Sequence, residues 1–336
     1  MAVYLIILIA IFVINLLLLI GYKKVALKSG IIANPNFRAL HDSPTLTGAG
    51  IIFALTTILT MLFAWLVELI SLDFLLIVSG GGLIAATFGL IDDNYDLKAK
   101  NKLIFQISLS AFALFYLRGG PLLNVDFLPN FLAILLSSFF LVWVINAYNF
   151  IDGIDSLASS GAILAGVVVL TTLWLTNVNS EIITLLSILI MSLLAFIIFN
   201  WPPASLFMGD SGSVFLGYIF GSIILYTTMR GEVSLFTWII AFGYFISDTT
   251  VTQIARVFLV KKWYLAHRSH AYQNYARESN SHLKVVLFVV AYYLIWLLPL
   301  AILSAKLPNF GIFAAIAALF PALIFSYKYG PVYSSK

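Results

Sequence analysis

Long apolar segments that recur from one end of the chain to the other constrain this sequence more than any other feature. A bilayer core about 30 Å thick takes about 20 helical residues to cross, and helices satisfy their backbone hydrogen bonds inside it. We identify eleven such segments, at 2–21, 48–70, 72–91, 103–118, 130–148, 157–177, 181–199, 212–229, 234–256, 283–305 and 309–327. The sequence therefore predicts an all-α polytopic membrane protein, a single domain over 1–336 with about eleven transmembrane helices. Ten is the alternative count, because 103–118 is short and the second and third segments almost touch.

The composition excludes a soluble globular domain. Hydrophobic residues make up 62% of the chain and charged residues 10%, whereas soluble domains carry about 25% charged residues. Cysteine is absent, so any bound metal must be held by carboxylate, amide or histidine groups, which favours a hard cation. The first segment has no basic region before it, and lysines follow it, so we interpret it as a retained anchor rather than a signal peptide.

The distribution of positive charge predicts how the chain lies in the membrane. Loops after odd-numbered segments, with the C-terminus, hold 15 of the 18 lysine and arginine residues. By the positive-inside rule this side is cytoplasmic and the N-terminus lies outside. The cytoplasmic loops also hold all four histidines and eight of the fourteen acids, which the rule does not explain. We therefore expect one site on the cytoplasmic face, built by the loops 22–47, 92–102, 149–156, 200–211 and 257–282.

A series of amides and carboxylates, three residues apart, follows the fifth segment. Asn146, Asn149, Asp152 and Asp155 form this series, with Gly153 inside it. A helix cap followed by a turn is the simple interpretation. Because uncompensated polar groups in a membrane helix cost on the order of 1 to several kcal/mol each, a run of four favours a cavity, a metal or a substrate.

Two further segments place carboxylates at helix ends. Asp92 and Asp93 are followed by three lysines ending at Lys102. Adjacent side chains on a helix point about 100° apart, so we expect one carboxylate near a metal or phosphate and the other held by a lysine, which suits magnesium–pyrophosphate chemistry. Further along, Asp210 stands between glycines at the start of a helix, either as a simple cap or open to a metal-bound phosphate.

The remaining cytoplasmic loops carry weaker signals. Gly48 and Gly50 open the second segment, either as part of a connector or to let backbone N–H groups approach a phosphate. The loop 257–282 contains two histidines around an arginine, which favours an anion or sugar-phosphate site over a mere positive-inside loop. Asp248 falls near the cytoplasmic end of its helix, where a functional role and a pair with a lysine both stay open.

Together these motifs resemble the polyprenyl-phosphate N-acetylhexosamine-1-phosphate transferase family, glycosyltransferase family 4, over nearly the whole chain. The resemblance rests on Asp92-Asp93, on the Asn146 to Asp155 series and on the Phe207 to Ser213 segment, in that order. It is most similar to the branch that initiates O-antigen synthesis. It implies transfer of a sugar-1-phosphate from a UDP-sugar to undecaprenyl phosphate, releasing UMP, in the first membrane step of cell-envelope glycan synthesis.

The resemblance also implies roles for individual residues. Asp92, Asp93 and Asp210 would be catalytic, with Asp210 and Asp93 binding Mg²⁺, for which Mn²⁺ is an alternative. Phe207 would stack on uracil, and the other substrate-binding residues would be Asn149, Asp152, Asp155, Asn200, Lys102, His267, Arg268 and His270. The enzyme would lie in the bacterial cytoplasmic (inner) membrane with its active site on the cytoplasmic face, without a nucleic-acid partner. A homodimer, and the choice between direct attack and an aspartyl-phosphate, stay open.

One departure and two other functions need weighing. The first loop, Pro44 to Gly50, lacks the basic residue common in the family, so Arg38 or His41 would have to supply a phosphate contact. The acids from Asp92 to Asp96 also fit an aspartate-rich membrane prenyltransferase, although that function leaves the segment 200–213 and the histidine loop unexplained. A transporter would place charges near the membrane midplane in repeated halves, whereas these acids crowd one face.

Overall fold

A computed structural model describes residues 2–30, 32–33, 45–95, 97–118, 129–260 and 267–331. In this range the chain is a bundle of helices with one small antiparallel pair, β1 (Ile32–Ala33) and β2 (Thr45–Leu46). The helices are α1 Ala2–Ser29, α2 Gly50–Leu66, α3 Leu72–Tyr95, α4 Ala99–Tyr116, α5 Asn130–Ile151, α6 Leu157–Thr176, α7 Ile182–Asn200, α8 Gly209–Met229, α9 Leu235–Ala241, α10 Gly243–Leu259, α11 Ala271–Ser279, α12 His282–Lys306 and α13 Gly311–Tyr329.

The prediction of an all-α polytopic membrane protein is confirmed. Every predicted apolar segment is helical, although 234–256 is divided into two helices, and eight helices of the described chain are long and apolar enough to cross a bilayer. A ninth span results if α9 and α10 are counted together, although they meet at an angle of 79°. α2 is apolar but has only 17 residues. The count of eleven and the outside position of the N-terminus stay predictions.

Helix α8 is the centre of the bundle. Its residues from Ser211 to Thr227 are all buried, because α3 and α5 pack along it at very short range. A Cβ on Gly217 would lie 2.7 Å from the Cα of Ile145, and one on Gly221 would lie 2.3 Å from the side chain of Leu141. Glycine is therefore needed where α8 meets α5, and this close contact aligns the cytoplasmic ends of the two helices.

The N-terminal helix α1 packs at the edge of the bundle and exposes most of its apolar surface. A polar contact inside the membrane attaches it. The amide of Asn15, fully buried, donates to the carbonyl of Ser192 at 2.6 Å and accepts from the hydroxyl of Thr56 at 2.9 Å. These two hydrogen bonds join α1 to α7 and α2 and satisfy the Asn15 amide inside the membrane.

The bend between α9 and α10 opens an apolar recess beside α5. The recess is small and partly open, with a cavity volume of about 40 Å³. Its walls are aromatic and aliphatic throughout and come from α5, α8, α9 and α10, including Phe140, Trp143, Tyr148, Trp238, Phe242 and Phe245. Along α5, the wall residues extend to Tyr148, which directly precedes Asn149 in the chain.

Candidate functional site

The carboxylates of two distant segments meet because α3 and α8 touch at a glycine. A Cβ on Gly89 would lie 2.2 Å from the carbonyl oxygen of Asp210, so only glycine fits there. One turn after Gly89, α3 presents Asp92 and Asp93 to the first turn of α8. The sequence analysis missed this contact, although a glycine one turn before a pair of acids is a signal for close backbone approach.

Asp93 caps helix α8. Its Oδ1 accepts the backbone N–H of Asp210 at 2.7 Å and its Oδ2 accepts that of Ser211 at 3.1 Å. A carboxylate in this place satisfies N–H groups that have no partner in the helix and is favoured by the helix dipole. Gly209, which directly precedes Asp210, has φ +69°, and a Cβ on Gly209 would lie 2.5 Å from Asp93 Oδ2. Asp93 therefore positions Asp210.

Lys102 bridges the other two carboxylates. Its Nζ lies 2.5 Å from Asp92 Oδ2 and 3.5 Å from Asp210 Oδ2. The second oxygen of Asp92 accepts the backbone N–H of Leu97 at 2.9 Å. Lys102 therefore holds Asp92, as predicted for one acid of the pair. Asp93, which was predicted to lie near a metal or phosphate, bonds both of its oxygens to backbone N–H groups.

Asn149 contacts Asp210 from the opposite side. Its Nδ2 donates to Asp210 Oδ1 at 2.7 Å and lies 3.1 Å from the hydroxyl of Ser213. Asn146, one turn earlier, forms a two-way amide pair with Gln106 of α4, at 2.7 and 3.3 Å. Gln106 lies one turn after Lys102, so the pair holds together the two helices that deliver Lys102 and Asn149. Sequence reasoning did not single out Gln106.

Asp152 lies in the turn after α5 and is the least engaged acid of the group. Within the described part of the chain its carboxyl group has no hydrogen bond or ion pair. Burial, and then repulsion from three nearby carboxylates of which Asp210 contributes most, raises the pKa of Asp152 well above its ordinary value. This side chain therefore faces a concentration of negative charge, and a cation bound there would relieve the repulsion.

Asp155 and Asn200 serve the scaffold of the site. Asp155 accepts the backbone N–H of Ala204 at 3.0 Å and lies 3.3 Å from Nδ1 of His282. The side chain of Asn200 accepts the N–H of Ser156 at 3.1 Å and donates to the carbonyl of Leu206 at 2.9 Å. These bonds tie the loop 200–206 to the turn after α5. Direct contact of either residue with a substrate stays a prediction.

Phe207 is half-buried and its backbone extends the small β pair. Its N–H donates to the carbonyl of Leu46 at 2.8 Å, and the N–H of Gly50 donates to the carbonyl of Met208 at 2.9 Å. The suggested phosphate contact of Gly50 is therefore wrong, because its N–H is already bonded. Glycine at position 50 instead allows close packing, since a Cβ there would lie 2.3 Å from the Cα of Gly212. Arg38 and His41 lie outside the described residues.

The histidine loop reaches the site through α11. The rings of His267 and His270 stack with their centroids 5.0 Å apart, and Phe150 lies 5.7 Å from His270. Burial, with repulsion from His270 and Arg256, lowers the pKa of His267 to about 3, so this ring is neutral at physiological pH. Arg268 is partly exposed beside them. The first part of the loop, 261–266, lies outside the described residues.

Asp248 belongs with this loop. It is fully buried in α10, as expected from its place near the helix end. The carboxylate of Asp248 bonds to Nδ1 of His270 and to the first N–H groups of α11. Among the described residues it therefore pairs with no lysine, and it is not directly exposed to the site. Sequence reasoning located the residue but found no partner for it.

The donor groups of the cluster suit Mg²⁺. Across the described ranges, no three histidine, aspartate or glutamate side chains form a complete metal site. The unpaired carboxyl of Asp152, close to Asp210, nevertheless offers the hard oxygen ligands that Mg²⁺ takes one or two at a time, together with water and substrate phosphates. Both oxygens of Asp93 are bonded to the backbone, so its predicted metal role stays a prediction.

Comparison with known proteins agrees with this geometry. Residues 75–228, which carry both acids of α3 and the start of α8, match the family model described as glycosyl transferase family 4. A probable undecaprenyl-phosphate N-acetylglucosaminyl 1-phosphate transferase from Bacillus subtilis (strain 168) is 29% identical over 278 residues, 80% of this chain and 75% of that protein.

Two other relatives align over shorter stretches. The phospho-N-acetylmuramoyl-pentapeptide-transferase of Streptococcus pneumoniae (strain 70585) is 34% identical over 55% of this chain and 60% of its own length. A decaprenyl-phosphate N-acetylglucosaminephosphotransferase of Mycolicibacterium smegmatis is 30% identical over 64% of this chain and 57% of its own length. The site geometry, the family model and these relatives agree: residues 75–228 match glycosyl transferase family 4, and the chain is similar to polyprenyl-phosphate hexosamine-1-phosphate transferases.

Proposed function

We propose that this membrane phosphoglycosyltransferase moves an N-acetylhexosamine-1-phosphate from a UDP-sugar to undecaprenyl phosphate, giving a lipid-linked pyrophosphoryl sugar and UMP. One observation carries the proposal: Lys102 and Asn149 hold the carboxylate of Asp210 between them at the capped start of α8. Helix α5, which carries Asn149, also lines the apolar recess up to Tyr148. One helix therefore contributes both to a charged site for phosphates and to an apolar site for a lipid.

The donor half of the reaction needs groups that bind a diphosphate. Lys102 supplies a cation within reach of the start of α8, and a lysine ammonium group binds phosphates as a point charge. Asp210 and Asp152 are the residues that would hold Mg²⁺, which when bound would neutralise charge on the diphosphate. Half-buried Phe207 is positioned by its backbone bonds to β2, which suits a ring that stacks on uracil.

The acceptor half needs a place for a long apolar chain. The recess at the bend between α9 and α10 is lined by aromatic and aliphatic side chains only. A prenyl chain in this recess would bury apolar surface and leave its phosphate near Asn149. The choice of undecaprenyl phosphate follows the resemblance and the Bacillus subtilis relative, whose name gives undecaprenyl phosphate.

In this reaction the bonds that form and break belong to the two substrates. An oxygen of the acceptor phosphate forms a bond to the β-phosphorus of the UDP-sugar, and the bond from that phosphorus to UMP breaks. Because the acceptor phosphate is already a nucleophile, the residues act by positioning and by charge neutralisation. Lys102 counters the charge of Asp92 and Asp210, and Asp93 keeps Asp210 in place. We place this site on the cytoplasmic face of the bacterial cytoplasmic membrane, where positive charge is concentrated.

The proposal is tested by the identity of the released nucleotide. Purified protein in nanodiscs would be incubated with undecaprenyl phosphate and each of several UDP-N-acetylhexosamines, with and without Mg²⁺. We expect Mg²⁺-dependent UMP together with a lipid product for at least one donor. Release of UDP instead would indicate simple glycosyl transfer, and consumption of prenyl diphosphate without UMP would favour a prenyltransferase; either result would overturn the proposal.

A further inference from the structure

The buried carboxylate of Asp248 holds the start of helix α11. Its Oδ1 accepts the backbone N–H of Ala271 at 3.0 Å and its Oδ2 accepts that of Tyr272 at 3.0 Å. The hydroxyl of Thr252, one turn on in α10, donates to Oδ1 at 3.2 Å. A carboxylate at a helix N-terminus satisfies unpaired N–H groups and is favoured by the helix dipole. Asp248 therefore joins α10 to the histidine loop from inside the protein.

The same carboxylate orients the ring of His270. Nδ1 of His270 lies 3.2 Å from Asp248 Oδ1. Because a carboxylate without a proton only accepts hydrogen bonds, this contact favours the tautomer with hydrogen on Nδ1, whereas the capping box with the backbone N–H of Gln273 favours an Nδ1 without hydrogen. The other ring nitrogen, Nε2, is buried and has no hydrogen-bond partner among the described residues. Buried polar atoms are nearly always hydrogen-bonded, so an unpartnered Nε2 indicates a ligand group.

Helix α11 in turn supports the turn that carries Asp152. The hydroxyl of Tyr272 donates to the carbonyl of Phe150 at 2.7 Å. A Cβ on Gly153 would lie 2.1 Å from that hydroxyl oxygen and 2.8 Å from Nε2 of Gln273. Since the two segments are in contact on both sides of Asp152, a shift of α11 would move this acid.

We infer that Asp248 is a positioning residue that acts through His270. It keeps the hydrogen on Nδ1, seats α11 against the turn of Asp152, and so presents Nε2 of His270 to the nucleotide sugar. This inference rests on the proposed function for the identity of the ligand, although the contacts that carry it do not depend on that function. The role differs from those of the acids around Asp210, because Asp248 is fully enclosed.

Asp248→Asn tests the role in catalysis. The amide keeps the shape of the carboxylate, but its NH₂ group cannot accept a hydrogen bond and must face one of the donors. We expect kcat per folded enzyme, and kcat/KM with it, to fall by about tenfold or more, the pattern of a lost interaction in the transition state. Thr249→Val is the matched control, since this neighbouring buried hydroxyl bonds only within α10, and it should keep wild-type kcat and KM.

A double-mutant cycle with His270→Gln separates positioning from mere structural support. If Asp248 acts through His270, Asp248→Asn should cost much less kcat in the His270→Gln background than in the wild type. Additive losses in the two backgrounds would overturn the inference. So would an Asp248→Asn enzyme whose thermal stability falls while kcat per folded enzyme stays at the wild-type value.

The proton on His270 can be observed without any substrate. The chain has only four histidines, so protein labelled with ¹⁵N-histidine in nanodiscs gives few signals, and His270→Gln identifies that of His270. We expect a protonated Nδ1 in the wild type and a mixture of tautomers in Asp248→Asn. An unprotonated Nδ1 in the wild type would overturn the inference. If no UDP-sugar yields UMP, the proposed function fails, and this spectrum still decides the role of Asp248.

Discussion

The carboxylate of Asp93 accepts the backbone N–H of Asp210 at 2.7 Å, so one acid of the site sets the position of another. The two lie 117 positions apart in the chain and meet because Gly89 and Gly209 leave room for the backbone and for the carboxylate. The first turn of α8, the carboxylate of Asp210 and the contacts of Lys102 and Asn149 all depend on this cap. The cap therefore makes its own predictions.

Gly209→Ala should damage the site more than an ordinary glycine substitution would. A positive φ costs a non-glycine residue about 1–2 kcal/mol, and here the new Cβ would also lie 2.5 Å from the Asp93 carboxylate. Gly231→Ala is the matched control, because Gly231 has nearly the same φ, +68°, with nothing near its Cβ position. We expect a larger loss of thermal stability and of UMP release in Gly209→Ala. Equal losses in the two variants would contradict the role of the cap.

Asp210→Asn should abolish Mg²⁺-dependent UMP release while leaving the protein folded. Loss of one group that stabilises charge in the transition state costs about 100-fold or more. The amide oxygen can still accept from Asn149, while the NH₂ group replaces the oxygen that faces Lys102. The control is Asp73→Asn. Asp73 pairs with Arg118 at the opposite end of α3 from Asp92, so this variant should keep full activity. Activity above a few per cent of wild type in Asp210→Asn would remove Asp210 from the metal site.

The amide pair of Gln106 and Asn146 should show coupling. Replacing either one by leucine leaves a buried amide without its partner, at a cost of about 1–3 kcal/mol, and loosens the contact between α4 and α5. The double replacement should cost less than the sum of the single ones, in both thermal stability and UMP release. Ser108→Ala, an exposed position of α4, serves as control. Additive effects would indicate that the pair does not hold the helices.

His267 should make the protein less stable in acid. Its pKa is lowered from 6.5 to about 3 in the folded state, so the unfolded chain binds a proton between these values and the folded protein does not. Stability is therefore complete above pH 6.5 and falls as the pH drops toward 3. In His267→Gln this part of the fall should disappear. Melting temperatures of wild type and variant from about pH 5 to pH 7.5 measure the difference; parallel curves would refute it.

Hydropathy and charge made the fold and the location of the site predictable. The apolar segments are helical, with 234–256 divided into two helices, because a helix satisfies its own backbone hydrogen bonds inside the bilayer. The acids at 92, 93, 152 and 210 were recognised because uncompensated polar groups at the ends of membrane helices cost free energy and therefore indicate a binding partner. Their partners were not, since a cap such as Asp93 on α8 or an amide such as Gln106 depends on which helices become neighbours, and only glycine positions such as Gly89 hint at that.

Asp248 and Gly50 are two further residues whose contacts could not be predicted from the sequence. The buried carboxylate was noticed as costly, yet its partners lie 22 to 24 residues further along the chain and follow from how α11 docks. Gly50 was interpreted through its backbone N–H, whereas the structure uses the missing side chain to bring α2 against α8. Local sequence indicates which residues are unusual, and the packing of helices decides what they contact.

The position of the transferred phosphorus tests the central claim most directly. UDP-N-acetylglucosamine labelled with ³²P in its β-phosphate would be incubated with the purified protein, Mg²⁺ and undecaprenyl phosphate, and alternative UDP-N-acetylhexosamines labelled in the same way would follow. We predict that the label moves into the lipid fraction with the sugar and that the released UMP carries none. Label that stays with the nucleotide as UDP, for every donor that reacts, would contradict the account.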